Sequence, residues 1–222
     1  MMTAVEDDFR GRVSEIEAYL KFIVDVDDGA VRLTRERGNE AAYGSRVKDD
    51  LLRTFNSSTI LLLYNLMEST VSNAVEAVFD ELVSQGISFD ECRDELRKVI
   101  LGNLKKHNIG SIFPKLNELS RDIIGKTFQK ENLVSGNVDA RKIRELVDEY
   151  GIERPGVDGE ALLTVKTNRN DLAHGVKSFA AVGREFSKPD IVRLKEQVIA
   201  YLTAMLEKVT IYISERHYLK AI

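Results

Sequence analysis

The sequence predicts an all-α fold, and three observations predict it. Apolar residues recur at three- and four-residue steps through nearly the whole chain, as in helices that bury one stripe. No segment reads as a strand, and no internal repeat is present. At 222 residues and 43% hydrophobic, the chain is long enough for one compact domain with an ample core.

The elements follow in order. Phe9, Val13, Ile16, Leu20 and Ile23 define an amphipathic first helix, ended by Asp27-Asp28-Gly29, with Gly38 and Gly44 marking a charged connector. From about Val47 to Val83 the pattern becomes long and richly apolar, and the run Ile60 to Leu63 is apolar on every side. Such a helix is expected to be buried on more than one face, with Gly86 as its stop. A helix over about Phe89–Lys106 follows, carrying Leu96, Val99, Ile100 and Leu104 and therefore placing Cys92 on a helix. Pro114 breaks the chain, Leu116, Leu119 and Ile123 suggest a short helix, and Gly125 to Asn137 reads as loop. Asp139 suits an N-cap for a helix through Tyr150, and Gly151 to Gly159 is turn-rich. A helix from about Glu160 stops near Gly175, and Ser187-Lys188-Pro189-Asp190 starts the last one.

Composition limits the function. A net charge of −4 and a pI near 5.6 exclude a general nucleic-acid coating protein, so any RNA contact must come from a local basic patch. The single Cys92 permits no internal disulfide and suits a reducing cytosol, its plainest role being a small buried residue. Met1-Met2-Thr3-Ala4-Val5-Glu6-Asp7-Asp8 is too acidic for a signal peptide, and no segment approaches the ~20 apolar residues needed to span a bilayer. A cytoplasmic protein with no membrane partner is expected. There is no phosphate-binding glycine loop, no dinucleotide fingerprint and no Cys/His metal spacing, so neither a metal nor a cofactor is expected.

One stretch concentrates chemistry. Arg169-Asn170-Asp171-Leu172-Ala173-His174 joins a phosphate-gripping guanidinium to the side chain that most readily exchanges protons near neutral pH. That pair is the minimum kit for breaking a phosphodiester without a metal. On an ideal helix Arg169 and His174 project about 140° apart, whereas Asn170 and His174 share a face. An Arg and a His at this spacing also occur as surface pairs with no catalytic meaning.

The surrounding residues add a resemblance. Lys166 to Gly175 looks like the signature of HEPN domains, an Arg, a polar residue and a His a few positions on. Ser58 to Thr70 resembles the long core helix of the RiboL-PSP-type, MAE-like prokaryotic branch. Gly136 to Leu146 and Val182 to Ser187 are similar to two further segments of that branch, in the same order. The resemblance implies one HEPN-like helical bundle over 1–222, with core helices at about 47–85, 160–176 and 189–218. An irregular helical insertion would occupy about 108–159.

It also implies a metal-independent endoribonuclease, a toxin or antiviral-defence effector, whose Arg and His from two chains build one site at a homodimer interface. In that scheme His174 moves protons between the 2′-hydroxyl and the leaving 5′-oxygen, Arg169 stabilises the phosphorane, and Asn170 orients His174. Lys166 would add positive potential, and Glu68, the one carboxylate in an apolar helix stretch, would hold Arg169; each reads equally well as a solvated helix residue. Lys105, Lys106, Arg141, Lys142 and Arg144 are candidate RNA-backbone contacts, although charge runs are more often solvated surface. His107 reads first as structural and second as part of a basic rim, His217 as a solvated face, and Asp171 as a salt-bridge residue. The partners expected are RNA, a second copy and an antidote or defence protein. The competing reading is a non-catalytic HEPN module that binds RNA, a nucleotide or a partner protein.

Overall fold

The computed structural model describes residues 2–32, 47–106, 123–130, 133 and 137–220, and eight helices run through them. They are α1 (Met2–Asp27), α2 (Asp49–Ser84), α3 (Asp94–Lys106), α4 (Ile123–Thr127), α5 (Ala140–Tyr150), α6 (Glu160–Ala173), α7 (Phe179–Arg184) and α8 (Lys188–Ser214). Among these residues there is no strand, only an isolated antiparallel bridge between Cys92 and Leu219. The protein is an all-α bundle, and none of the described helices is long and apolar enough to cross a membrane.

Helix α2 is the axis of the bundle because its apolar residues fall on all sides. Ile60, Leu63, Leu66, Met67, Val78 and Leu82 are all buried, and the helix packs against α1, α4, α6, α7 and α8. Burying one such side chain contributes about 1.5–3 kcal/mol, so α2 gains more from a central position than any surface helix would. Helices α1 and α8 each bury one stripe and also meet each other. Helix α8 starts at a reciprocal capping box, in which the Ser187 hydroxyl accepts the Asp190 N–H and the Asp190 carboxylate accepts the Ser187 N–H. On the other flank α5 packs against α3, and the Tyr212 hydroxyl of α8 donates to the Tyr150 carbonyl at 2.9 Å.

Three expectations need correction. The third helix begins at Asp94, not near Phe89. The Ser88 N–H and hydroxyl donate to the Glu91 carboxylate, the Arg93 N–H donates to the Tyr218 carbonyl at 2.8 Å, and the Lys220 N–H donates to the Glu91 carbonyl at 2.9 Å. These bonds engage the backbone that an earlier helical turn would need, and they place Cys92 in the bridge rather than on a helix. Cys92 is fully buried there, and burial pushes its thiol up to about 11. The stretch expected as loop from Gly125 is helical as far as Thr127, with the Thr127 hydroxyl bonded back to the Ile123 carbonyl at 2.7 Å. Helix α7 was not expected at all. Gly38, Gly44, Pro114, Leu116 and Leu119 lie outside the described residues.

Helix α7 owes its place to one close approach. A Cβ at Gly183 would fall on the Arg53 carbonyl oxygen, so glycine lets α7 lie against the first turns of α2. The Ser57 hydroxyl of α2 also bonds the Phe179 carbonyl. This contact sets α7 just after the end of α6, where the candidate site lies.

Candidate active site

Helix α6 buries Ala161, Leu162, Val165, Asn168 and Leu172 against the bundle and leaves Leu163, Thr167 and His174 exposed. It ends in a Schellman turn. Gly175, at φ 68°, donates to the Leu172 carbonyl at 3.2 Å, and Val176 donates to the Asp171 carbonyl at 2.8 Å. His174 is thereby the C-cap, with its imidazole exposed to solvent. The turn continues into Lys177, whose ammonium bridges Asp171 at 3.3 Å and Glu185 at 2.9 Å. Asp171 thus pairs with a cation from the turn that follows the helix.

Arg169 sits on the flank of the buried face and reaches α2. Its Cζ lies 4.4 Å from the centroid of the Tyr64 ring, a contact worth up to about 2 kcal/mol when desolvated. Its Nη1 donates to the Asn170 Oδ1 at 3.1 Å, and the Asn170 amide reaches the Asn137 Oδ1 at 3.5 Å, the long end for such a bond. Asn170 meets His174 through the backbone, its carbonyl accepting the His174 N–H at 2.9 Å. Tyr64 is buried, and its hydroxyl accepts the Val138 N–H at 3.2 Å. Burial pushes the Tyr64 phenol above its ordinary pKa, the Val138 N–H and Arg169 oppose that, and the nearby carboxylates of Glu68 and Asp139 add to it. Glu68 stands one turn along α2 from Tyr64, half-buried.

Lys166 is engaged elsewhere than the Arg169 cluster. Its ammonium lies 2.6 Å from the Asp139 carboxylate, which also accepts the Lys142 N–H and so caps α5. Burial pushes the Asp139 carboxyl up, but the bonds from Lys166 and Lys142 outweigh it and hold it below the usual carboxylate range. Arg141 is exposed and pairs with Glu145 at 3.3 Å, while Arg144 lies near the buried Tyr201 hydroxyl and lowers a pKa that burial raises. Helix α5 runs basic to acidic, from Arg141, Lys142 and Arg144 to Glu145, Asp148 and Glu149. That order sets like charge against the positive pole of its own dipole. Lys105 is exposed near the end of α3, where Lys106 is the last helical residue; His107 lies outside the described residues, and His217 is exposed beside Glu215 at 3.0 Å.

The structure therefore joins Arg169, Asn170, Asn137 and Tyr64, and separately Lys166 with Asp139. The profile of MAE_28990-like HEPN matches residues 1–218. The chain belongs to that HEPN family. No curated protein and no solved structure gives a match. In this HEPN chain the signature segments pack on one another. Tyr64 of the 58–70 segment carries Arg169 of the 166–175 segment, Val138 of the 136–146 segment bonds Tyr64, and the 182–187 segment lies against α2 through Gly183. Tyr64, Asn137 and the pairing of Asp139 with Lys166 escaped sequence reasoning. All three sit inside segments with HEPN resemblance, yet no spacing rule links residues so distant along the chain.

Proposed function

We propose that this HEPN chain is a metal-independent endoribonuclease, a toxin or antiviral-defence effector that is cytoplasmic and acts as a homodimer. One observation carries the reading: within a HEPN signature, Arg169 is held on Tyr64 while His174 opens its imidazole to solvent at the end of the same helix. His174 takes the proton of a ribose 2′-hydroxyl, whose oxygen attacks the adjacent phosphorus. Arg169 stabilises the charge that collects on the phosphorane. The 5′-oxygen leaves with a proton returned by a histidine, giving a 2′,3′-cyclic phosphate and a 5′-hydroxyl end. Glu68 helps to keep Arg169 in place from one turn along α2.

Pairing of two copies through α6 gives each cleft two arginines and two histidines, which removes the angular mismatch within one helix. Leu163 is 51% exposed and shares the face of Asn170 and His174, and Val176, just beyond, is 71% exposed. Both supply apolar ground for the second copy. The basic half of α5 holds RNA backbone beside the cleft, with Lys166 keeping that helix end in place and the exposed Lys105 adding a more distant basic edge. An antidote protein would bind over the same cleft.

One feature favours the second reading, a HEPN module that binds without cutting: the Arg169 guanidinium is half-buried and already engaged by Tyr64 and Asn170. The deciding experiment is cleavage of RNA in EDTA with analysis of the ends. His174→Ala and Arg169→Ala should each reduce the rate by ~10²–10⁴, and His174→Ala should relieve growth arrest on expression. Cleavage by both variants at the parent rate overturns the assignment, and binding of RNA without cleavage by the parent protein establishes the second reading.

A further inference from the structure

We propose that Tyr64 is the positioning residue for Arg169, fixing the guanidinium by its ring face so that its charge stays directed at an RNA phosphate. This rests on the ribonuclease reading and says how its phosphate grip is built. An arginine side chain carries about 2 kcal/mol of rotamer entropy, so a half-exposed one does not hold a single direction without support. An aromatic face gives such support through its quadrupole, and the Tyr64 ring centroid lies 4.4 Å from the Arg169 Cζ.

Tyr64 is itself immobile for three reasons. It belongs to α2, the helix packed on all sides, and it is 1% exposed. Its hydroxyl accepts the Val138 N–H at 3.2 Å, one residue from Asn137, which touches the Asn170 amide. Asn170 in turn accepts from Arg169. The ring, the 137–138 backbone and α6 thus hold one another in a closed circuit, and Arg169 is the member at which it can meet substrate.

The test is a double-mutant cycle between positions 64 and 169, read on RNA cleavage and on binding of an uncleavable 2′-O-methyl oligoribonucleotide. Tyr64→Phe keeps the ring and should stay within about threefold of the parent in kcat. Tyr64→Leu should lose about tenfold or more in kcat, with KM changed less than about twofold. In an Arg169→Gln background, which offers the ring no cation to hold, the same Tyr64→Leu change should cost less than about twofold. A simple packing role predicts equal losses in both backgrounds, and that result overturns the proposal. If Tyr64→Leu does not fold, phenylalanine and its trifluorinated analogue at position 64 replace it. They fill the same space but weaken the ring quadrupole, so kcat should fall with fluorination, and a flat series overturns the proposal. If the parent protein binds RNA without cutting it, the ribonuclease reading fails. The cycle on the dissociation constant then decides: coupled losses support the seat, and additive losses overturn it.

Discussion

Asp139 serves two ends with one carboxylate, closing the first turn of α5 and neutralising Lys166 of α6. Asp139→Asn preserves a good N-cap and removes the ion pair, so its effect isolates the pair. Lys166 is 24% exposed and Asp139 9%, and the loss should be about 1–3 kcal/mol at pH 7. The folded-state pKa of Asp139 is depressed by Lys166 and the Lys142 N–H against the push of burial. Its contribution is therefore present above the unfolded value near 3.9 and vanishes as pH falls through the lower folded value. Urea unfolding of parent and variant should differ most at pH 7, and the gap should be smaller at pH 3. A gap of the same size at both would remove the ion pair from the account.

At the scale of elements, α7 is the most exposed to a single change. Gly183→Ala should force α7 away from the Arg53 carbonyl, at about 1–3 kcal/mol and a Tm lower by roughly 3–10 °C. A parent-like Tm would mean that α7 does not depend on that approach. The same helix shows the limit of reading elements from sequence: six residues are under two turns, too few for a period to emerge. Helix α5 was legible because cap, amphipathic pattern and terminal glycine are all local, from Asp139 to Gly151. The start of α3 was not, since Phe89 fits the helical period and the residues that divert the backbone, Tyr218 and Lys220, are far along the chain. The site divides in the same way. The motif and the shared face of Asn170 and His174 were readable from spacing, whereas the seat of Arg169 on Tyr64 is a contact between helices that spacing does not encode.

For the whole molecule the governing number is a net charge of −4, which repels RNA except where positive residues gather. Two copies joined through α6 would double the local positive charge without changing the acidic remainder. Light scattering should give about twice the 25.0 kDa chain mass. Leu163→Glu combined with Val176→Glu should return the mass of one chain and abolish cleavage, with helical content unchanged. A monomer that still cleaves would overturn the composite site.

The bridge between Cys92 and Leu219 also fastens residues 216–220 to the middle of the chain, under a buried Tyr218. It leaves the only thiol in the protein shielded and protonated at neutral pH. An alkylating reagent can then reach that sulfur only when the clasp opens, so the labelling rate becomes a clock for detachment of this segment. The protein carries its own reporter of local opening. Because that reporter is silent in the closed state, cysteines placed on the outer face of α6 could be labelled selectively to test whether two copies bring their motifs together.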